Sequence, residues 1–320
     1  MGRYIIRRIL QAIPLLFLLT IFMFTLIHLL PGGPDQVIFN PHLSPAGRAA
    51  LRARFGLDQP VPIQYLKWLG NALTGNFGFS FGTNQPVGQI ILQRLPATLQ
   101  LFVPALTLAL VMAVLVGVIS ALRQGTATDY TLTILAYFGF CMPIFLLGLF
   151  AQEIFGVWLH WFPTSGTSTY GYTLDPLSAF VDHLQHLFLP MLVLAISFIA
   201  GWSRYMRSSM IDVVKQDYIR TGRAKGVSTS SLMLRHALRN AIIPLITVVA
   251  LDFGAVAGGA TITEGIFAWP GMGLLFFQAL EIRDYPVLLA ELLLGAVFVI
   301  AFNLIADILY AVMDPRIRYS

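Results

Sequence analysis

Six stretches of this 320-residue chain, near 9–30, 97–122, 131–152, 187–206, 241–263 and 287–312, are apolar for about as long as a helix needs to cross ~30 Å of hydrocarbon. No water is available there to satisfy a backbone amide or carbonyl, so each stretch must pair its own peptide groups, and the α-helix does so within one segment. The sequence therefore predicts an all-α membrane protein with six transmembrane helices. Composition agrees, since 57% hydrophobic residues, 11% charged residues and a mean hydropathy of +0.76 lie far from the values of a soluble globular domain. The basic start and the apolar run from Ile9 to Leu30 resemble a signal peptide in outline. That run is too long, and Pro31-Gly32-Gly33-Pro34 lacks a small-x-small cleavage pattern, so a retained first span is expected.

Lysine and arginine orient the helices. With both termini cytoplasmic, fourteen of the 20 basic residues lie inside, including Arg3, Arg7, Arg8, Arg123, Arg316, Arg318 and eight between Arg204 and Arg239. Only Arg48, Arg52, Arg54, Lys67, Arg94 and Arg283 fall outside, and the first three sit deep in a long segment where the charge rule weakens. The net charge of +5 thus reflects topology. No basic soluble face interleaved with aromatics is present, which argues against a nucleic-acid partner. Cys141 is the single cysteine, so no intrachain disulfide can form and a packing role is expected.

The segment 31–95 is long enough to carry extracytoplasmic structure of its own. Ser44-Pro45 opens a short helix that Gly56 closes, and a second is expected from Pro62 through Leu73, ending at Gly75, with Tyr65, Trp68 and Leu69 along an apolar edge. Trp158, Trp161 and Phe162 begin a second outer loop and suit an interfacial aromatic belt. In a third loop the apolar Leu274–Leu280 is too short to span and predicts a helix dipping into the outer face. Inside, residues 207–240 form a basic, helix-prone loop between the fourth and fifth spans.

The order Arg220-Thr221-Gly222-x-x-x-Gly226, nine residues, then His236-Ala237-Leu238 resembles the Glu-Ala-Ala-x-x-x-Gly-x9-Ile-x-Leu-Pro loop of binding-protein-dependent ABC importers. Gly226 and Leu238 match. Arg220 stands for Glu, Thr221 and Gly222 for the two alanines, His236 for Ile and Arg239 for the closing Pro, in the manner of the dipeptide, oligopeptide and nickel permease family. Tyr4-Ile5-Ile6-Arg7-Arg8, Phe55-Gly56-Leu57-Asp58-Gln59-Pro60, Arg94-Leu95-Pro96-Ala97-Thr98, Glu264 to Gly271, Arg283-Asp284-Tyr285-Pro286 and Asp314-Pro315-Arg316-Ile317-Arg318 are similar to the first permease subunit of that family, so the resemblance runs the length of the chain.

The resemblance implies a single transmembrane permease domain over 1–320, multi-pass in a prokaryotic inner membrane, in contact with membrane lipid. It implies three kinds of protein partner: a second homologous permease subunit, two cytoplasmic ATPase subunits and an extracytoplasmic substrate-binding protein. The loop would be a coupling helix docked on an ATPase through Asp217, Tyr218, Arg220, Thr221, Gly222, Arg223, Ala224 and Lys225, with Gly226 setting the turn. A helix broken at Gly226 and restarted with Ser228 or Thr229 as N-cap independently gives a hairpin suited to a partner's cleft. The cargo expected is a dipeptide or oligopeptide, the alternative being nickel or another small solute on the same architecture. An ion-coupled secondary transporter is a third reading, motivated by the intramembrane acids.

No catalytic residue is expected. Gly222-Arg223-Ala224-Lys225-Gly226 lacks the Gly-x4-Gly-Lys-Ser/Thr loop that cradles phosphates, so ATP and Mg belong to the partner subunits and this chain binds no cofactor. Asp182, His183 and His186 offer two histidines on one helix face but no third firm ligand, and no metal site is expected. Asp252, Glu264, Glu291 and Asp307 are candidates for the translocation path because acids within spans face protein or water. Asp252 has the alternative role of a helix–helix hydrogen bond. Gly254-x3-Gly258-Gly259 permits close helix packing, within the chain or against a second permease.

Overall fold

The apolar runs fold as helices that overshoot the hydrocarbon, because the flanking residues continue the helical pattern until glycine, proline or a polar turn stops them. A computed structural model describes residues 2–29, 46, 57–169, 171, 175–254 and 259–313. The helices are α1 (Gly2–Leu29), α2 (Val61–Leu73), α3 (Val87–Leu122), α4 (Ala127–Cys141), α5 (Ile144–Trp158), α6 (Pro176–Val214), α7 (Asp217–Ala224), α8 (Thr229–Phe253), α9 (Thr261–Ile266), α10 (Met272–Glu281) and α11 (Tyr285–Met313). The expected helix opened by Ser44-Pro45, the Gly254-x3-Gly258 spacing and the Asp314–Arg318 tail lie wholly or partly outside the described residues.

Five helices are long and apolar enough to cross a membrane, and six spans result if α4 and α5 count as one. The expected third span, 131–152, is not a straight helix. It breaks at Met142-Pro143, and its two halves are bent by 102°. Pro143 explains the break: proline removes a backbone donor and biases the preceding Met142 to extended backbone, ψ 123°. The fifth span also differs from the expected 241–263, since α8 begins at Thr229 and ends at Phe253. Its first turns widen into a π-helical segment at Leu232–Ala237, as do the last turns of α5 over Gln152–Trp158.

The chain divides into two compact units, one of Met1–Thr98, Ala255–Thr261 and Pro270–Ile300, the other of Leu99–Gly254, Ile262–Trp269 and Ala301–Ser320. In the first, Met23, Phe24 and Ile27 of α1 share a core with Ile90 and Ile91 of α3, Met272 and Leu275 of α10, and Leu288 and Leu289 of α11. α2 lays Tyr65 and Trp68 on that core, as its apolar edge predicts; Phe24 lies 5.4 Å from Tyr65 and 5.7 Å from Trp68, ring centroid to centroid. Thr20 and Tyr65 share a 2.9 Å hydroxyl hydrogen bond. Gly75 closes the α2 segment at φ +79°, a conformation that favours glycine. The short apolar α10 sits where the dipping helix is expected; the first turn of α10 is held by the Thr98 hydroxyl, which accepts from the Met272 amide at 2.7 Å. A Cβ at Gly273 would stand 2.5 Å from the backbone of Thr261, so this approach requires glycine.

The connection at 79–86 is fixed by Asp284. Its buried carboxylate accepts from Ser80 Oγ at 2.5 Å, from the Phe81 amide at 3.0 Å and from the Gly82 amide at 3.1 Å. In the second unit α4, α5 and α8 pack against the 39-residue α6. Close approach again depends on glycine: a Cβ at Gly117 of α3 would lie 2.6 Å from Cβ of Met206 on α6. Asp284→Ala leaves one hydroxyl and two amides without their acceptor. It should lower stability by about 2–4 kcal/mol, read as a reduced thermal midpoint in detergent, with Asp284→Asn recovering part of the loss.

Candidate functional site: a polar hairpin and its support

Between α6 and α8 the chain leaves the apolar pattern and forms the eight-residue helix α7. In α7 only Ile219 is buried, at 1% exposure, and it anchors the hairpin while Asp217, Tyr218, Arg220, Thr221, Arg223, Ala224 and Lys225 stay exposed. Asp217 stands in the first turn and Arg223 in the last, each on the end of the helix dipole that favours its charge. An exposed ion pair of 3.9 Å links Asp217 to Arg220. Pairs of this kind contribute at most about 1 kcal/mol, so the basic surface stays available to a partner.

The helix stops in a left-handed turn. Gly226 has φ +80°, its amide bonds to Arg223 O at 3.1 Å, and the Val227 amide reaches Gly222 O at 3.2 Å, the paired pattern of a Schellman cap. The return is capped by Ser228, whose hydroxyl accepts from the Ser231 amide at 3.4 Å. Of the two expected N-caps, Ser228 takes the position. Two contacts close the hairpin: a Cβ at Gly222 would meet Leu232 Cδ1 at 2.5 Å, and Asn240 Nδ2 donates to Tyr218 Oη at 2.8 Å. The predicted contact residues therefore lie together on one exposed turn, while Gly222 belongs to its inner face.

The hairpin hangs from α6, and the lower part of α6 is held by a cluster absent from the sequence reading. Asp129, 3% exposed, receives Arg207 through two bonds, Nε to Oδ1 at 2.8 Å and Nη2 to Oδ2 at 2.9 Å. The Gly125 amide donates at 3.0 Å, Thr133 Oγ1 at 3.4 Å, and Ser120 Oγ forms a further short bond to Oδ1. One carboxylate thus ties α3, α4 and α6 together ten residues before the hairpin. Asp129 in the first turn after Gly125-Thr126 was a visible helix-start signal, but nothing in sequence pairs it with an arginine 78 residues away.

The intramembrane acids occupy different places. Asp252 of α8 accepts from Trp202 Nε1 of α6 at 2.6 Å, the geometry of the alternative helix–helix role. Glu264 is fully buried on α9, Asp307 is half-buried on α11, and both belong to the same unit as Asp252. Glu291 is buried in the other unit. Asp182 binds the Thr169 amide at 2.8 Å and its hydroxyl at 2.6 Å, while His183 Nδ1 meets Thr167 O at 3.0 Å. Among the described residues no group of three or more His, Cys, Asp and Glu side chains could hold a metal.

Comparison with known proteins bears on the whole chain. Residues 113–319 match the family described as binding-protein-dependent transport system inner membrane component, and residues 1–102 match the N-terminal region of such membrane components. The oligopeptide transport system permease protein AppB of Bacillus subtilis is 44% identical over 322 residues, covering all of both chains. A putative peptide permease protein of Brucella ovis is 43% identical over 325 residues, again with both chains covered completely. The glutathione transport system permease protein GsiC of Shigella flexneri is 38% identical over 320 residues with the same full coverage. Asp129→Ala should strand the Arg207 guanidinium in a mostly buried place at a cost of about 3 kcal/mol. The expected readout is a lower thermal midpoint together with faster hydrogen exchange across 204–226.

Proposed function

Because the chain belongs to the binding-protein-dependent transport system inner membrane component family, we propose that it is the permease subunit of an ATP-driven importer whose cargo is a peptide. It is a membrane transport component and no enzyme; ATP is hydrolysed by separate subunits, and a substrate-binding protein delivers cargo from outside. The peptide reading is supported by relatives whose names specify oligopeptide, peptide and glutathione transport. In this reading both termini are cytoplasmic, the segment 31–95 is extracytoplasmic, and a second homologous permease completes the pathway.

The observation that carries the coupling role is the exposed α7 turn, ended by Gly226 at φ +80° and burying Ile219 alone of the α7 residues. An eight-residue helix with a basic outer face is short enough to enter a cleft, and its ties to α6 and α8 would pass a rigid-body push to both membrane helices. ATP binding brings the ATPase subunits together, the hairpins of the two permeases move with them, and the bundle opens outward. Hydrolysis returns it inward. Asp252, Glu264, Glu291 and Asp307 remain our candidates for the path itself.

Gly226→Val, which forces a β-branched residue into left-handed backbone at a cost of about 1–2 kcal/mol or more, and the pair Arg220→Glu with Arg223→Glu should both uncouple the motor. In proteoliposomes the assembled variants should hydrolyse ATP yet lose at least about tenfold in peptide uptake, with all spans still inserted. Undiminished coupled uptake in both would remove the docking role. Uptake driven by a proton gradient without ATPase subunits would instead favour a secondary transporter. For Asp252→Asn the Trp202 hydrogen bond can persist, so folding should be unchanged while preference between cationic and anionic peptides shifts. Identical uptake of both would leave Asp252 only its link between α6 and α8.

A further inference from the structure

A cavity of ≈ 220 Å³ opens between α3, α4 and α6, lined by Ser120, Thr133, Tyr137, Ser203, Arg204 and Arg207 among others. Its charges are unequal in their partners. Arg207 is neutralised by the two-bond pair with Asp129, whereas Arg204 has no carboxylate within 4 Å among the described residues. The Arg204 Nε–H is buried without an acceptor, and the buried Ser203 hydroxyl beside it is also unpartnered. The guanidinium is held by aromatic faces instead, 4.0 Å from the Phe140 ring centroid and 5.3 Å from that of Tyr137. Stacking fixes the plane of the cation and leaves its in-plane donors directed elsewhere.

Val116, Leu132 and Ala136 make part of the lining apolar, and its polar part is richer in donors than in free acceptors. Hydroxyls of Tyr137, Ser203 and Ser208 line the cavity with one unpaired guanidinium, while Thr133 Oγ1 already donates to Asp129 and the Asp129 oxygens are occupied. Such a set suits an anion with several acceptor oxygens. Position narrows the class further. Ser120 lies two residues from the end of α3, beside the turn that leads into α4, and Arg204 stands about one helical turn deeper than Arg207, roughly 4.5 Å. In the topology proposed above, that level lies toward the cytoplasmic end of the spans. On the same two helices that line the cavity, Leu115 and Ile119 of α3 and Ile134 and Phe138 of α4 are exposed apolar side chains, with Ile134 at 66% and Phe138 at 61%. Facing water they would be a liability, whereas they suit contact with acyl chains. The volume corresponds to roughly seven water molecules at ~30 Å³ each, which admits a headgroup phosphate and not a chain as well.

We propose that this cavity is a binding site for the phosphate of an anionic phospholipid, read by Arg204 with Ser203 and flanking hydroxyls. The acyl chains then run along the exposed residues of α3 and α4. With the inward topology given above the lipid belongs to the cytoplasmic leaflet, where basic pockets between membrane helices select anionic headgroups. Because the same helices lead through Arg207 to the hairpin, lipid occupancy would stiffen the support of the coupling turn. The proposal rests on the membrane reading and on the cytoplasmic topology proposed above, and not on ATPase docking.

The test uses the complete importer purified in detergent, with its thermal midpoint followed during titration by phosphatidylglycerol, phosphatidylcholine or inorganic phosphate. Phosphatidylglycerol should stabilise at a concentration about fivefold lower than phosphatidylcholine, and inorganic phosphate should neither stabilise nor compete. Arg204→Gln should abolish that preference and Ser203→Ala should weaken it, while Arg235→Gln at an exposed position away from the cavity lining should leave it intact. Should Arg204→Gln fail to assemble, the headgroup series on the wild-type importer together with Ser203→Ala still decides. Equal response to the two lipids, or a preference retained by both cavity variants, overturns the proposal. Competition by inorganic phosphate or by a peptide carboxylate at equal potency also overturns it, assigning the cavity to a soluble anion or to cargo.

Discussion

Hydrocarbon leaves no solvent for backbone polar groups, and that constraint governs the rest of this molecule. It makes helices of the apolar runs and confines departures from regular helix to places where the protein itself can compensate. The interruption at Met142-Pro143 and the wide turns at Gln152–Trp158 are of this kind. Gln152 illustrates the compensation: its side-chain amide donates to Thr164 O at 2.7 Å and to Ile266 O at 3.0 Å, giving a partner to one acceptor in a loop and one at the end of α9. Irregular backbone persists here because side chains supply what water would supply elsewhere.

Where apolar packing is unselective, polar pins choose the arrangement. Two membrane helices gain little from burying leucine against leucine when the alternative is lipid, so close glycine contacts and buried hydrogen bonds become decisive. Asp284 gathers one hydroxyl and two amides, Asp129 gathers an arginine fork, two hydroxyls and an amide, and Asp252 holds one indole N–H. Each carboxylate receives at least one donor from a segment distant in sequence. A pin of this type is worth more as a specifier of register than as net stability, because desolvating the ions offsets much of their attraction.

The hairpin follows a different economy. α7 buries a single isoleucine and exposes its charges, so its shape comes from local backbone chemistry: a left-handed Gly226, a serine N-cap and a tyrosine–asparagine tie. Local chemistry is readable from sequence, and the turn at Gly226, the restart near Ser228 and the exposed basic face were all legible there. The outer helix ending before Gly75, with Tyr65 and Trp68 turned to the core, was legible for the same reason. The extent of the third and fifth spans was less so. Hydropathy measures how long a segment remains apolar and is blind to a bend within it, although Pro143 carried the signal for one.

Sequence by itself determined the class of this protein: an all-α membrane chain, a family membership spread over its whole length, and a polar turn between two spans with a glycine at its pivot. These depend on composition, periodicity and residues close together in the chain. Only the tertiary structure decided which distant groups meet. It paired Asp129 with Arg207 and Asp252 with Trp202, seated Asp284 under the 79–86 connection, and left Arg204 facing a polar cavity with aromatic support but no counter-ion among the described residues. The physical reason is that a charge in a low-dielectric interior is defined by its neighbours, and those neighbours are chosen by helix packing across dozens of residues.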